Sequence, residues 1–323
     1  MLAKVSDAHA VPAGTVHSRR SVRDIFIGAN GLRAGWGCAL FVLIALGLTF
    51  AFQSVAAGWL ARLDSAPDGS RTAGHVALDR SLQWLAALIA TWCMSRIERR
   101  QLSAYGFGRK RFVGLYLRGA VVGFVGLSLL LLVLLLLGVW RIDGMRLHGH
   151  AAWVYAFAWG GAFILAGFSE ETQMRGYLLA ALSRGIRFWP AAVALSLLFG
   201  ALHLGNGGEN LIGILTAVVA GFVFSYTIRK TGSLAFAFGM HAAWDWGESF
   251  FYGTPDSGQH IYGYLLTSHA SGNPFISGGS AGPEGSVLVL PVFVLMGLLA
   301  GLVAKDVKDP VPGSRPNPRG NEN

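Results

Sequence analysis

Charge is what this chain has least of. Only 13% of its 323 residues are charged, about half the roughly 25% of a soluble domain. With 53% hydrophobic residues and a mean hydropathy of +0.49, an ordinary soluble domain is excluded and an all-α polytopic membrane bundle is indicated. Cysteine is scarcer still. Cys38 and Cys93 both lie in apolar segments, which excludes a disulfide framework and reads as two small core residues. The first 32 residues hold Lys4, Arg19, Arg20 and Arg23 but no apolar core of signal-peptide type. The first apolar run is therefore read as an uncleaved span. Neither an internal repeat nor a second soluble domain is visible.

What is present is a series of apolar windows of about 20 residues, enough for a helix to cross a bilayer. Eight are predicted, at roughly 36–59, 81–96, 119–140, 155–182, 188–204, 211–228, 233–252 and 286–304. Trp36 and Trp59 bracket the first, about 35 Å apart along a helix, as in an interfacial aromatic belt. The third contains "LSLLLLVLLLL" (Leu127–Leu137), ends at Trp140 and has no polar face, so it reads as a lipid-facing structural helix. Around the spans lie a segment 1–35, a three-helix portion 36–150 and a polar-marked core 151–255. A Gly/Ser-rich outer loop 256–285, the last span 286–304 and a tail 305–323 of disordered composition follow.

The formal charge of +9 does not call for nucleic acid, because its placement explains it. With the N-terminus inside, the inner segments hold 21 of the 26 lysines and arginines. Both termini are then expected in the cytoplasm of a cell inner (plasma) membrane. "GRKRF" (Gly108–Phe112) could also touch anionic lipid headgroups.

Against this background "SEETQMRGYLL" (Ser169–Leu179) stands out, since charges at bilayer depth are costly and usually functional. The apolar run after Arg175 predicts that the fourth helix continues to about Leu182 without a loop. Glu171 and Arg175 then share a face as an i,i+4 pair, while Glu170, turned about 100° away, is left without that partner and free to act. Phe199 and His203 are likewise four apart, as are His241 and Asp245, a spacing that lets a carboxylate orient an imidazole. His148 and His150 read as solvated loop residues, and Glu248 as facing the outer interface.

Glu170-Glu171 with Arg175, Phe199 with His203, and His241 with Asp245, in this order on successive spans, resemble the CAAX-protease and bacteriocin-processing family of intramembrane proteases. The likeness covers roughly residues 155–252. "LSAYGF" (Leu102–Phe107) and "SGGSAGPEGS" are similar to bacterial members. The resemblance implies peptide-bond hydrolysis with Glu170 as general base, His203 holding the water and His241 facing the substrate carbonyl. Asp245 would support His241 where many relatives have Asn, and Glu171, Arg175 and Phe199 would be structural. It also implies a peptide substrate at the membrane. Members are often named metalloproteases, and Glu170, His203 and His241 could hold Zn²⁺; a metal-free glutamate route would use the same residues. Prenylated substrates are not expected if the chain is bacterial. A proton-coupled transporter and a non-enzymatic immunity or scaffold protein are the alternatives; the first is disfavoured by the missing repeat.

Reporter fusions after Lys305 should read cytoplasmic, and fusions near Ser271 external. The opposite pattern at both positions would overturn the orientation.

Overall fold

The computed structural model describes residues 23–28, 31–64, 66–108 and 111–303; the tail 305–323, most of the first 35 residues and two basic residues of "GRKRF" fall outside them. The described chain is an all-helical membrane bundle. Its main helices are α1 (Ala34–Leu63), α2 (Ala73–Ile97), α3 (Phe112–Leu136), α4 (Gly149–Glu171), α5 (Leu178–Ile186), α6 (Phe188–Leu202), α7 (Leu211–Thr231), α8 (Ala235–Asp245) and α9 (Val289–Val303). Strands β1 (Trp140–Met145) and β2 (Leu266–Ala270) pair antiparallel.

A helix occupies each of the eight expected windows. Five stretches are long and apolar enough to cross a membrane: Ala34–Leu63, Phe112–Leu136, Gly149–Ile186, Phe188–Gly205 and Leu211–Thr231. Of the rest, α2 carries Asp79 and Arg80, α8 has only 11 residues and α9 has 15. Trp36 and Trp59 are 46% and 64% exposed at the two ends of α1, where an aromatic belt needs them.

The third window corrects the reading from composition. α3 ends at Leu136, and Trp140 opens β1, with its indole N–H donating to the Ser277 carbonyl at 2.6 Å. Nor is α3 merely lipid-facing. Val121 and Val125 are exposed, but Leu115, Gly119, Gly123 and Leu127 are buried. The glycines make this possible. A Cβ on Gly119 would fall 2.0 Å from the Phe236 carbonyl oxygen, one on Gly123 2.2 Å from that of Met240, and one on Gly239 2.0 Å from that of Tyr116. In lipid, where apolar surface gains little by leaving the solvent, such close backbone approach is what packs helices together.

The fourth helix behaves as expected, with one refinement. Helical structure runs from Gly149 to Ile186 without a loop, but Thr172–Tyr177 is a π-helical turn and Gly176 breaks from helical geometry at ψ −110°. Such turns are common at functional sites. At one end of the bundle Glu98 accepts from Tyr105 (3.0 Å), Tyr177 (2.5 Å) and Arg184 (2.7 Å), fastening α2 to α5. The Gly/Ser-rich segment 256–285 is well packed: Asn210 Nδ2 donates to the carbonyls of Gly278 and Gly285, and Thr216 Oγ1 to that of Glu284.

Gly123→Leu and Gly239→Leu should each cost at least about 1–3 kcal/mol, read as lost folded yield and a lower Tm in detergent. Gly47→Ala, whose Cβ would meet nothing within 4 Å, should stay within about 0.5 kcal/mol. Equal stability of the three variants would contradict the α3–α8 crossing.

Candidate active site

The site is organised around two fully buried charges. Glu171 Oε1 accepts from Arg175 Nη1 at 3.0 Å, and neither side chain is exposed. The guanidinium also lies over the rings of Phe199 (4.2 Å) and Phe224 (5.6 Å). These contacts matter because Arg175 Nε and Nη2 have no hydrogen-bond partner, and a cation over an aromatic face recovers part of the lost solvation. Gly221 leaves the space: a Cβ there would stand 2.3 Å from Arg175 Nη2. The expected pair is formed.

Glu171 does more than hold Arg175. His241 Nδ1 lies 3.0 Å from the same Oε1. A carboxylate only accepts, so this contact assigns the proton to Nδ1 and leaves Nε2 facing Asp245 Oδ2 at 3.4 Å and Glu170 Oε2 at 3.7 Å. The imidazole is stacked on Phe224, with centroids 5.2 Å apart and planes 5° apart. Rotation of the ring is thereby blocked on two sides.

The neighbouring carboxylate requires a correction. Glu170 is not unpaired: its Oε1 lies 2.9 Å from Arg80 Nη1 of α2, and its side chain is 21% exposed. The sequence reading began this span at 81, whereas α2 begins at Ala73, so Arg80 was placed outside the helix that carries it. Pairing offsets the charge at depth, while Oε2 remains turned toward His241 and the cavity.

His203 closes the α6 end. Its Nδ1 lies 2.7 Å from the Phe199 carbonyl oxygen, and its ring rests against Phe199 with centroids 4.8 Å apart. A carbonyl only accepts, so Nδ1 carries the proton and Nε2 is uncommitted. Glu170, His203, His241 and Asp245 all line one cavity of about 320 Å³. Glu171 and Arg175 lie behind it.

Two acids have no place in the sequence analysis, and a third is placed wrongly there. Asp256 and Glu284, from the segment following α8, also line the cavity. Burial raises the carboxyl pKa of Asp256 above its usual range, and burial followed by the charge of Asp256 raises that of Glu284. Glu248 is fully buried and does not face an outer interface. Composition hides Asp256 and Glu284, since isolated acids in a Gly/Ser-rich stretch resemble solvated loop residues. His148 and His150 are exposed, as anticipated.

For a metal, the donor atoms must converge. Among the described residues, the three-donor set whose ligand atoms lie within 4.8 Å of one another is Glu248, Asp256 and Glu284. Glu170, His203 and His241 do not form such a set.

Glu171→Ala and Arg175→Ala should each cost about 3–5 kcal/mol, because each leaves a buried charge alone. The readout is folded yield and Tm of purified protein in detergent. Full stability of both variants would contradict a structural pair.

No curated protein and no solved structure matches the chain significantly. One family model does, and its span contains Glu170, Glu171, Arg175, Phe199, His203, His241 and Asp245. Residues 151–247 match the model of the type II CAAX prenyl endopeptidase Rce1-like family, in keeping with the resemblance that the motifs carry.

Proposed function

We propose that this membrane protein is an intramembrane endopeptidase in which Glu170 activates the attacking water. The observation that carries this reading is the pairing of one fully buried glutamate with an adjacent one that opens onto a shared cavity. Glu171 is committed to Arg175 and His241, whereas Glu170 keeps one oxygen toward that cavity.

Each residue then has a separable task. Arg80 fixes Glu170 Oε1 and neutralises its charge, leaving Oε2 to take a proton from water. The 3.7 Å gap between Oε2 and His241 Nε2 is too long for a direct hydrogen bond but within reach of one water contacting both. The proton taken by Glu170 Oε2 passes to His241 Nε2, and the resulting imidazolium is stabilised by Glu171 on one side and Asp245 on the other. It can donate to the developing oxyanion or return the proton to the departing amine. His203, with Nε2 uncommitted, helps to hold the water. Trp159, Phe163, Phe224, Met240 and Phe293 give the cavity apolar walls, suited to the apolar flanks of a membrane-embedded peptide. Zn²⁺ held by the same histidines and Glu170 would activate that water only if the three side chains moved together, since their donor atoms do not converge as they stand.

Cleavage of a fluorogenic membrane peptide tests the assignment. Glu170→Gln, His203→Ala and His241→Ala should each lower kcat by at least about 10²-fold with the fold intact, and Asp245→Asn should be milder. Unaltered cleavage by folded Glu170→Gln protein would remove Glu170 as the base, and an unaltered phenotype of that variant would favour the scaffold reading and sink the protease. Metal analysis run beside chelation separates the two water mechanisms: stoichiometric zinc lost together with activity would favour the metal route, and full activity without metal the Glu–His route.

A further inference from the structure

Beside the catalytic cavity lies a second carboxylate cluster that the hydrolytic mechanism does not use. Glu248 sits in the π-turn Trp246–Phe251 that ends α8, Asp256 follows the turn, and Glu284 precedes α9. Ligand oxygens of the three lie within 4.8 Å of one another. Acids in proximity would not by themselves make a site. Glu248, however, is completely buried, and neither of its carboxylate oxygens has a hydrogen-bond partner. Among the described residues, none of the three has a basic ion-pair partner within 4.0 Å.

The surrounding chain is shaped to hold this arrangement. The Glu248 carbonyl accepts from Thr254 N (3.0 Å) and Thr254 Oγ1 (2.9 Å), turning the backbone so that Asp256 folds back over it. Ser249 Oγ donates to Asp256 Oδ2 at 3.3 Å, and Ser257 Oγ to Glu284 Oε1 at 2.6 Å. Gly282 has φ +102°; a Cβ there would fall 2.1 Å from the Pro255 carbonyl oxygen and 3.4 Å from Glu248 Oε1. Both the backbone conformation and the close approach require glycine at this point.

We infer that Glu248, Asp256 and Glu284 bind a hard divalent cation of the Ca²⁺ class, which clamps the segment 253–285 onto the end of α8 beside the catalytic cavity. All-oxygen donors select hard cations, and oxygens at 2.3–2.6 Å from one Ca²⁺ lie at most about 5 Å apart. The observed set meets that limit without rearrangement. Mg²⁺, with ligands at about 2.0–2.1 Å, requires a tighter cluster. Among the described residues, the Glu248 carboxylate is buried without a hydrogen-bond partner, and those of Asp256 and Glu284, partly buried, have only serine donors. Holding three carboxylates this close without a cation is costly, and a bound cation offsets all three at once.

The test uses full-length protein in detergent, stripped with EGTA in a mildly alkaline buffer and titrated with Ca²⁺ or Mg²⁺ alone. Ca²⁺ should raise Tm saturably, more than Mg²⁺ does, and Tb³⁺ should give luminescence sensitised by nearby tryptophans and displaced by Ca²⁺. Glu248→Gln and Glu284→Gln, which keep shape but remove charge, should abolish both signals, while the exposed Asp143→Asn should keep them. If Glu248→Gln and Glu284→Gln fail to fold, Tb³⁺ titration of the unmodified chain still decides the matter. No Tm shift at millimolar Ca²⁺ and no displaceable Tb³⁺ signal would overturn the site and indicate carboxyls that share protons. An undiminished shift in Glu248→Gln would overturn it too. Glu170→Gln protein should bind Ca²⁺ as the parent does, so failure of the catalytic proposal and failure of this one are separable.

Discussion

One oxygen atom, Oε1 of Glu171, fixes the relation between the two helices that matter most. It holds Arg175 at 3.0 Å within its own helix and His241 Nδ1 at 3.0 Å on α8. Sharing that oxygen between two donors offsets much of the cost of burying its charge. Arg175 sits in the π-turn Thr172–Tyr177, and its guanidinium lies over Phe199. The imidazole that results is locked in tautomer and direction before any substrate arrives. Such preorganisation is what the proposed hydrolysis needs.

Small residues bring the partners within reach. Gly119 and Gly123 of α3 and Gly239 of α8 let backbones meet where side chains would collide. Gly167, whose Cβ would stand 3.2 Å from the Phe238 carbonyl oxygen, does the same between α4 and α8. α8 is short and almost completely buried, so it has little contact with lipid and is positioned by its neighbours on several sides. Its charged residues are therefore set by protein geometry, not by depth in a bilayer. The segment after it completes the arrangement, folding Asp256 and Glu284 back onto the cavity wall.

A large part of this was legible in the residues themselves. Scarce charge and repeated apolar windows specify a polytopic helical bundle, since backbone polar groups in lipid must be satisfied within each helix. Spacing of four specifies which side chains share a face, and so the Glu171–Arg175, Phe199–His203 and His241–Asp245 relations follow from helical geometry alone. The family resemblance rests on the same positions.

Proximity across the fold was decided only in three dimensions. That Arg80 of α2 meets Glu170, that Glu171 reaches His241 across 70 residues, and that α3 is half core are matters of helix packing. Composition could not reveal that the Gly/Ser-rich segment is an ordered cap, because its glycines and serines serve turns and hydrogen bonds to distant carbonyls. Periodicity along one helix determines which side chains share a face; which neighbour that face meets depends on how closely backbones approach, and here glycines far apart in the sequence set that distance.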